Sequence, residues 1–121
     1  MRSCWRSTIV VAALLFCGVS WTVLAQAGKT VADQVYTQAQ AQRGQVVYDA
    51  QCAPCHGPML SGGLGPPLAG VDFLRAWDKR PLIDLVDKIE KTMPATDPGS
   101  ISRNQATDLV AHLLRTSAFP A

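Results

Sequence analysis

Residues 52–56 read Cys-Ala-Pro-Cys-His, and this run decides more of the fold than any other part of the chain. The two cysteines lie three positions apart, so each thiol can form a thioether to one vinyl group of the same porphyrin. The histidine follows at once and is then placed to bind the iron through a ring nitrogen. The motif predicts one haem c bound covalently through Cys52 and Cys55, with His56 as an axial ligand.

The N-terminal residues have the three-part plan of a secretory signal peptide. Arg2 and Arg6 precede an almost wholly apolar stretch at residues 9–19, and Ala25-Gln26-Ala27 fits a cleavage site. We therefore predict that residues 1–27 are removed and that the protein is exported to the periplasm. The alternative is an uncleaved anchor, because the apolar segment reaches the lower limit of transmembrane length. Only in that case do we expect a membrane association.

Cleavage leaves residues 28–121 as a single small domain of 94 residues. Lys and Arg fall from 11 to 9 against 9 Asp and Glu, so the formal charge falls from +2 to zero. A neutral domain argues against nucleic-acid binding. Cys4 and Cys17 leave with the signal peptide. No thiol beyond Cys52 and Cys55 then remains for a disulfide.

Two capping boxes predict where the first and last helices of this domain begin. In each, a hydroxyl side chain caps the helix and a glutamine three positions later reaches back to the cap residue. Thr37 and Gln40 form the first box, and Ser102 and Gln105 form the second. The first helix is predicted to run from about residue 38 to residue 51, so that the haem motif follows its C-terminal end.

The rest of the domain predicts one more helix and a long loop. Pro81 opens a segment with apolar residues at helical spacing, which must end before Pro94. Residues 57–70 contain five glycines and three prolines and therefore form a loop. No run alternates between apolar and polar residues as a strand does. The predicted fold is all-α.

Met93 is the predicted second axial ligand. It lies 37 residues after His56, just beyond a helix end, and Pro94 restricts the backbone after it. A neutral thioether suits haem iron and raises its reduction potential. Met59 competes, but it follows His56 too closely to reach the opposite haem face. His112 also competes, although a lone histidine on a helix is more often packed than ligating.

These residues together resemble the class I c-type cytochromes with one haem and His/Met ligation. The resemblance covers residues 36–121 and implies a cytochrome c-like fold, with a few helices wrapped around the haem. The matching residues are Gly44, Tyr48, Cys52, Cys55, His56, Gly57, residues 65–70, Phe73, Trp77, Met93, Pro94, Pro98, Gly99 and residues 109–114.

The resemblance also assigns roles to residues around the haem. The carbonyl of Pro66 would accept the ring N–H of His56 and so orient this ligand. Leu68 would pack against the porphyrin, and Trp77 would stand near a haem propionate. One departure is His112, because the family usually has an aromatic residue there. The crossing of the first and last helices is therefore expected to be more polar and slightly pH-sensitive.

Three classes of function follow from these residues. The first is a one-electron carrier that takes electrons from a dehydrogenase and passes them to a cytochrome or an oxidase, either free or fixed in a dehydrogenase complex. The chain resembles the small cytochromes that accompany periplasmic dehydrogenases. The second is a haem sensor or peroxidase with a labile sixth ligand. The third is a redox dithiol or a zinc site at Cys52 and Cys55. We expect the first and no enzymatic activity.

Overall fold

The computed structural model describes residues 33–121, and within that range the secondary structure is entirely helical. The predicted all-α fold is confirmed. The predicted signal peptide lies outside the described residues. Among the residues that are described, no helix is long and apolar enough to cross a membrane. The helices are α1 (Gln38–Gln51), α2 (Ala53–His56), α3 (Val71–Trp77), α4 (Leu82–Thr92) and α5 (Arg103–Thr116).

Helices α1 and α5 begin at the two predicted capping boxes. The hydroxyl of Thr37 accepts the backbone N–H of Gln40 at 3.2 Å, and the Gln40 side chain accepts the Thr37 N–H at 2.9 Å. Ser102 and Gln105 repeat both hydrogen bonds at the start of α5. Each box satisfies backbone donors that the first helical turn leaves without partners.

Helices α1 and α5 pack directly on each other at Gly44. A Cβ atom at this position would lie 1.8 Å from the backbone oxygen of Asp108, so only glycine permits the two backbones to approach this closely. Beside this contact, the guanidinium of Arg43 donates to both carboxylate oxygens of Asp108 at 2.8 Å. The two helices therefore cross closely at Gly44.

Helix α4 packs on α5 through a buried apolar face formed by Leu85, Val86 and Ile89. On the solvent side, Arg103 pairs with Asp87 and Glu90. Exposed ion pairs of this kind contribute at most about 1 kcal/mol each, so apolar burial holds the two helices together.

Helix α3 was not among the predicted elements. It follows Gly70, which has a φ of +88°, and no side chain caps its first turn. None of its residues is fully buried, although Phe73 and Trp77 pack against the core. A seven-residue helix without a capping signal depends on these tertiary contacts.

His112 lies buried between α1 and α5, with 6 % of its surface exposed. Its ring centroid is 5.2 Å from that of Tyr48. Arg115 Nη2 lies 3.3 Å from His112 Nδ1, and because a guanidinium only donates, this ring nitrogen accepts. Burial and then the charge of Arg115 lower the pKa of His112, against a smaller opposing effect of Asp49. The helix crossing therefore contains a neutral histidine.

Acid should weaken this crossing through His112. The unfolded chain binds the proton near the ordinary histidine pKa of about 6.5, whereas the folded chain binds it only at lower pH. The contribution of neutral His112 to the free energy of unfolding is fully present above the pKa of the unfolded chain. It is lost as the pH falls through the lower pKa of the folded chain. We expect the urea midpoint to fall between about pH 7.5 and pH 5, and to fall less in His112→Phe. Equal falls in the two proteins would contradict this.

Candidate haem-binding site

The two cysteines and the histidine of the motif lie in a single turn of helix at the end of α1. The N–H of Cys52 donates to the carbonyl of Tyr48 at 2.9 Å, and the N–H of His56 donates to the carbonyl of Cys52 at 2.9 Å. Residues three and four positions apart are neighbours on a helix surface, so Cys52 lies near both Cys55 and His56 in this turn. Cys52 is half-buried and Cys55 is exposed.

The loop after His56 folds back onto the motif through its glycines. Gly57 reverses the chain with a φ of +78°, which an L side chain rarely adopts. The N–H of Gly62 then donates to the His56 carbonyl, and the N–H of Gly65 donates to the Cys55 carbonyl, both at 2.8 Å. These bonds bring residues 65 and 66 against the side chain of His56.

The imidazole of His56 is held on its Nδ1 side. Nδ1 lies 2.7 Å from the carbonyl oxygen of Pro66, and because a carbonyl only accepts, Nδ1 carries the proton. This is the contact that the family resemblance implied. Gly65 closes over the ring, since a Cβ atom there would lie 2.8 Å from Cε1 of His56. The other ring nitrogen, Nε2, keeps its lone pair for a metal ion.

A largely apolar cavity of about 360 Å³ adjoins this histidine. Six of the seven predicted site residues line it, whereas Cys55 does not and is exposed to solvent. The cavity is lined by Tyr48, Cys52, His56, Pro66, Pro67, Leu68, Asp72, Phe73, Ala76, Trp77, Leu85, Lys88, Ile89, Met93, Leu109 and Leu113.

The cavity suits an apolar macrocycle with a metal at its centre. Leucine and isoleucine side chains of α4 and α5 form one wall, and Leu68 and Phe73 come from the loop and α3. The lining residues include a histidine nitrogen and a thioether sulfur, and both groups bind haem iron. The size lies within the range of small-molecule pockets, about 300–1,000 Å³. Residues and cavity therefore fit haem c.

Met93 occupies the C-terminal cap of α4. Its N–H donates to the carbonyl of Ile89 at 3.0 Å, its backbone is extended, and the peptide bond to Pro94 is cis. Of the three candidates for the second ligand, only Met93 lines the cavity. Met59 is 76 % exposed, and His112 is packed against Tyr48. Ligation by Met93 stays a prediction, and the position of the side chain supports it.

Trp77 lies at the rim of the cavity beside a group of charged residues. The guanidinium of Arg80 lies 4.8 Å from the centroid of the indole ring, which is a cation–π contact. Arg80 also pairs with Asp84 at 3.8 Å, and Arg75 pairs with Asp72 at 3.3 Å. The structure therefore places a cation, Arg80, beside the residue that is predicted to stand near a propionate.

The environment of Cys52 does not favour a metal–thiolate or dithiol function. Burial, followed by the effect of Cys55, raises the pKa of the Cys52 thiol to about 11. Zinc binding and thiol exchange both need the thiolate. Within residues 33–121, no group of three or more His, Cys, Asp or Glu side chains could hold a metal ion. A thioether, which carries no charge, suits this half-buried position.

The sequence analysis assigned no role at the site to three residues that shape it. Tyr48 and Lys88 line the cavity, and Gly65 contacts the histidine ring. The position of Gly65 directly before Pro66 was a usable signal, because the predicted contact to Pro66 brings its neighbour to the ring as well. Nothing in the sequence placed Lys88 at the cavity, since its helix face also carries charged residues directed to solvent.

A family model described as cytochrome C oxidase, cbb3-type, subunit III matches residues 39–113. The chain belongs to this family. The matched segment runs from α1 into α5 and includes the Cys52–His56 motif and Met93. Membership makes the protein a c-type cytochrome, with haem c as its cofactor and haem-based electron transfer as its general role. No curated protein and no solved structure matches the chain.

Substitution of Gly65 tests the cradle around His56, the predicted axial ligand of this cytochrome. In Gly65→Ala the new methyl group would press on the imidazole and weaken its hydrogen bond to Pro66. A weaker bond makes the ring a poorer donor to ferric iron, so the reduction potential should rise. We expect a change of about tenfold in the electron-exchange equilibrium, or about 59 mV.

Gly63→Ala is the control for this measurement. Its Cβ atom would approach the carbonyl oxygen of Cys55 at 3.1 Å and no atom of the imidazole ring. Equal potentials in Gly65→Ala and the wild type, with covalent haem present in both, would show that the cradle does not tune the ligand.

Proposed function

We propose that the protein is a periplasmic one-electron carrier that accepts electrons from a dehydrogenase and passes them to a respiratory acceptor. Its haem c, attached through Cys52 and Cys55 and ligated by His56 and Met93, supplies the one-electron change between ferric and ferrous iron. The observation that carries the proposal is that His56 and Met93, 37 residues apart in sequence, line the same apolar cavity.

Different residues of the chain would orient the histidine ligand and exclude water from the haem. Pro66 orients the imidazole through its carbonyl, and the apolar side chains of α4 and α5 exclude water. Two protein ligands leave the iron no open position for a substrate. A sensor or peroxidase would need a labile sixth ligand, whereas Met93 is held by the backbone hydrogen bond that ends α4.

The surface beside Cys55 supports electron exchange with another protein. Leu64 and Met59 belong to the loop that folds over the motif, and their side chains are 90 % and 76 % exposed. No Asp, Glu, Lys or Arg occurs between residues 50 and 71. Small, weak interfaces are typical of redox encounters, and an apolar surface around the attachment site suits them.

A fixed place in a respiratory complex is the second candidate. The matching family description names an oxidase subunit, which favours an oxidase complex beside the dehydrogenase complex considered from the sequence. The exposed apolar side chains at Leu64 and Val71 would be covered in such an assembly. The apparent mass of the exported holoprotein in a native extract distinguishes a free carrier from a subunit.

Covalent attachment and ligation can be tested on the exported protein. Denatured wild type should keep its colour on a gel, and Cys52→Ser should retain little haem, because one thioether is lost.

Met93→Ala should keep the haem, bind carbon monoxide faster and have a lower potential, since the soft ligand that favours ferrous iron is gone.

Met59→Ala is the matched control, because Met59 is exposed on the loop. If Met59→Ala opened the iron to carbon monoxide and Met93→Ala did not, the assignment of the second ligand would be wrong. The same comparison with His112→Ala removes the remaining candidate.

The carrier function predicts that the protein exchanges electrons but does not convert substrates. Purified holoprotein should be reduced and oxidised rapidly by small mediators, and should show no turnover of alcohols, aldehydes or peroxide, since both axial positions are filled. Steady-state assays without a partner enzyme check this. Substrate-dependent turnover by the wild type would overturn the carrier function in favour of catalysis at the haem.

A further inference from the structure

Tyr48 connects helix α1 to the peptide that follows the axial histidine. The side chain is 1 % exposed and lines the cavity. Its hydroxyl donates a hydrogen bond of 2.6 Å to the carbonyl oxygen of Gly57. Because Gly57 comes directly after His56, this bond fixes the peptide group next to the residue that ligates the iron in the proposed function.

The peptide held by Tyr48 has little freedom of its own. The N–H of Gly57 donates to the Ala53 carbonyl at 2.9 Å, and the Gly57 carbonyl also accepts the N–H of Leu60 at 3.2 Å. The Tyr48 hydroxyl makes the shorter of the two bonds to this carbonyl. It is also the bond that comes from outside the loop, so it alone of these ties the loop to α1.

His112 keeps the phenol ring in place from the opposite helix. The two ring centroids are 5.2 Å apart and the planes are tilted by 47°. Burial is the main cause that raises the pKa of Tyr48, so the phenol keeps its proton and remains a donor. A continuous series of contacts therefore leads from α5 through the rings of His112 and Tyr48 to the backbone of residue 57.

We infer that Tyr48 is a positioning residue for the axial ligand: its hydroxyl holds the backbone after His56 so that the imidazole keeps its hydrogen bond to Pro66. The inference rests on the proposed ligation by His56. The ring is then fixed at two places, at Nδ1 by the Pro66 carbonyl and at the following peptide by Tyr48. Pro66 and Tyr48 together set how strongly the imidazole donates to the iron.

Loss of the Tyr48 hydroxyl should therefore change the electronic properties of the site as well as its stability. In Tyr48→Phe the ring still packs against His112, but the short bond to Gly57 is gone. The loosened backbone weakens the bond between His56 Nδ1 and Pro66. Ferric iron is then less stabilised, and the reduction potential rises.

Tyr36 provides a matched control elsewhere in the fold. It is the other tyrosine of the chain, and it is also buried. Its hydroxyl donates to a backbone carbonyl, that of Phe119, at 2.7 Å. Tyr36→Phe thus removes a comparable hydrogen bond from the junction of the two terminal segments, away from the axial histidine.

The experiment compares the two exported holoproteins with the wild type. We measure the urea midpoint, the reduction potential and the rate at which the His56 Nδ1 proton exchanges with solvent, by nuclear magnetic resonance. Both variants should lose stability. Only Tyr48→Phe should shift the electron-exchange equilibrium toward reduction, by threefold or more, which is about 28 mV at 59 mV per tenfold change. Only Tyr48→Phe should speed exchange of the Nδ1 proton.

A change of opposite sign gives a second test that does not depend on how well Tyr48→Phe folds. Growth on 3-fluorotyrosine in the Tyr36→Phe background labels Tyr48 alone, because the chain has two tyrosines. The fluorinated phenol is a stronger donor, so the potential should fall and exchange of the Nδ1 proton should slow. Unchanged potential and exchange in the fluorinated protein, or equal shifts in the two phenylalanine variants, would overturn the inference.

The proposed function fails separately from this inference. Wild-type protein without covalent haem, or with a ligand other than His56, contradicts the proposed function directly. Wild type with the expected haem, together with a Tyr48 variant whose potential matches that of the Tyr36 variant, contradicts only the positioning role.

Discussion

The hydrogen bond between His56 Nδ1 and the Pro66 carbonyl is the contact on which the rest of the site depends. At 2.7 Å it fixes both the protonation of the ring and the direction of the other nitrogen. It requires Gly57 to reverse the chain and Gly65 to leave room for the ring. The glycine-rich loop therefore acts as a frame for one imidazole, and its backbone hydrogen bonds to the carbonyls of Cys55 and His56 keep that frame in register with the motif.

Helix α1 connects this loop to the rest of the fold through residues on one of its faces. Gly44, Tyr48 and Cys52 are spaced four positions apart and so lie along the same face. Gly44 permits the close crossing with α5, Tyr48 anchors the peptide after His56, and Cys52 lines the cavity. A change in the angle between α1 and α5 would move all three residues together, which makes the helix crossing part of the site.

The sequence was sufficient where local chemistry decides the structure. The capping boxes at Thr37 and Ser102 predict the starts of α1 and α5, because a cap is a contact between residues three positions apart. Helix α3 was missed because tertiary packing stabilises it. The Tyr48 bond to Gly57 was missed because it requires the positive φ of Gly57 and the loop hydrogen bonds together. The contact with Pro66 came from family resemblance, and spacing alone would not have given it.

In the proposed site, two features would act in opposite directions on the reduction potential of the iron. With the proposed ligation, the apolar cavity walls and the thioether of Met93 would disfavour the additional positive charge of the oxidised state. The hydrogen bond from His56 to Pro66 would favour that charge, because it makes the imidazole a stronger donor. Side chains of α4 and α5 supply the first influence, and the loop after the motif supplies the second. Since Tyr48 contacts that loop from α1, the balance between them would depend on how the helices pack as well as on the two proposed ligands.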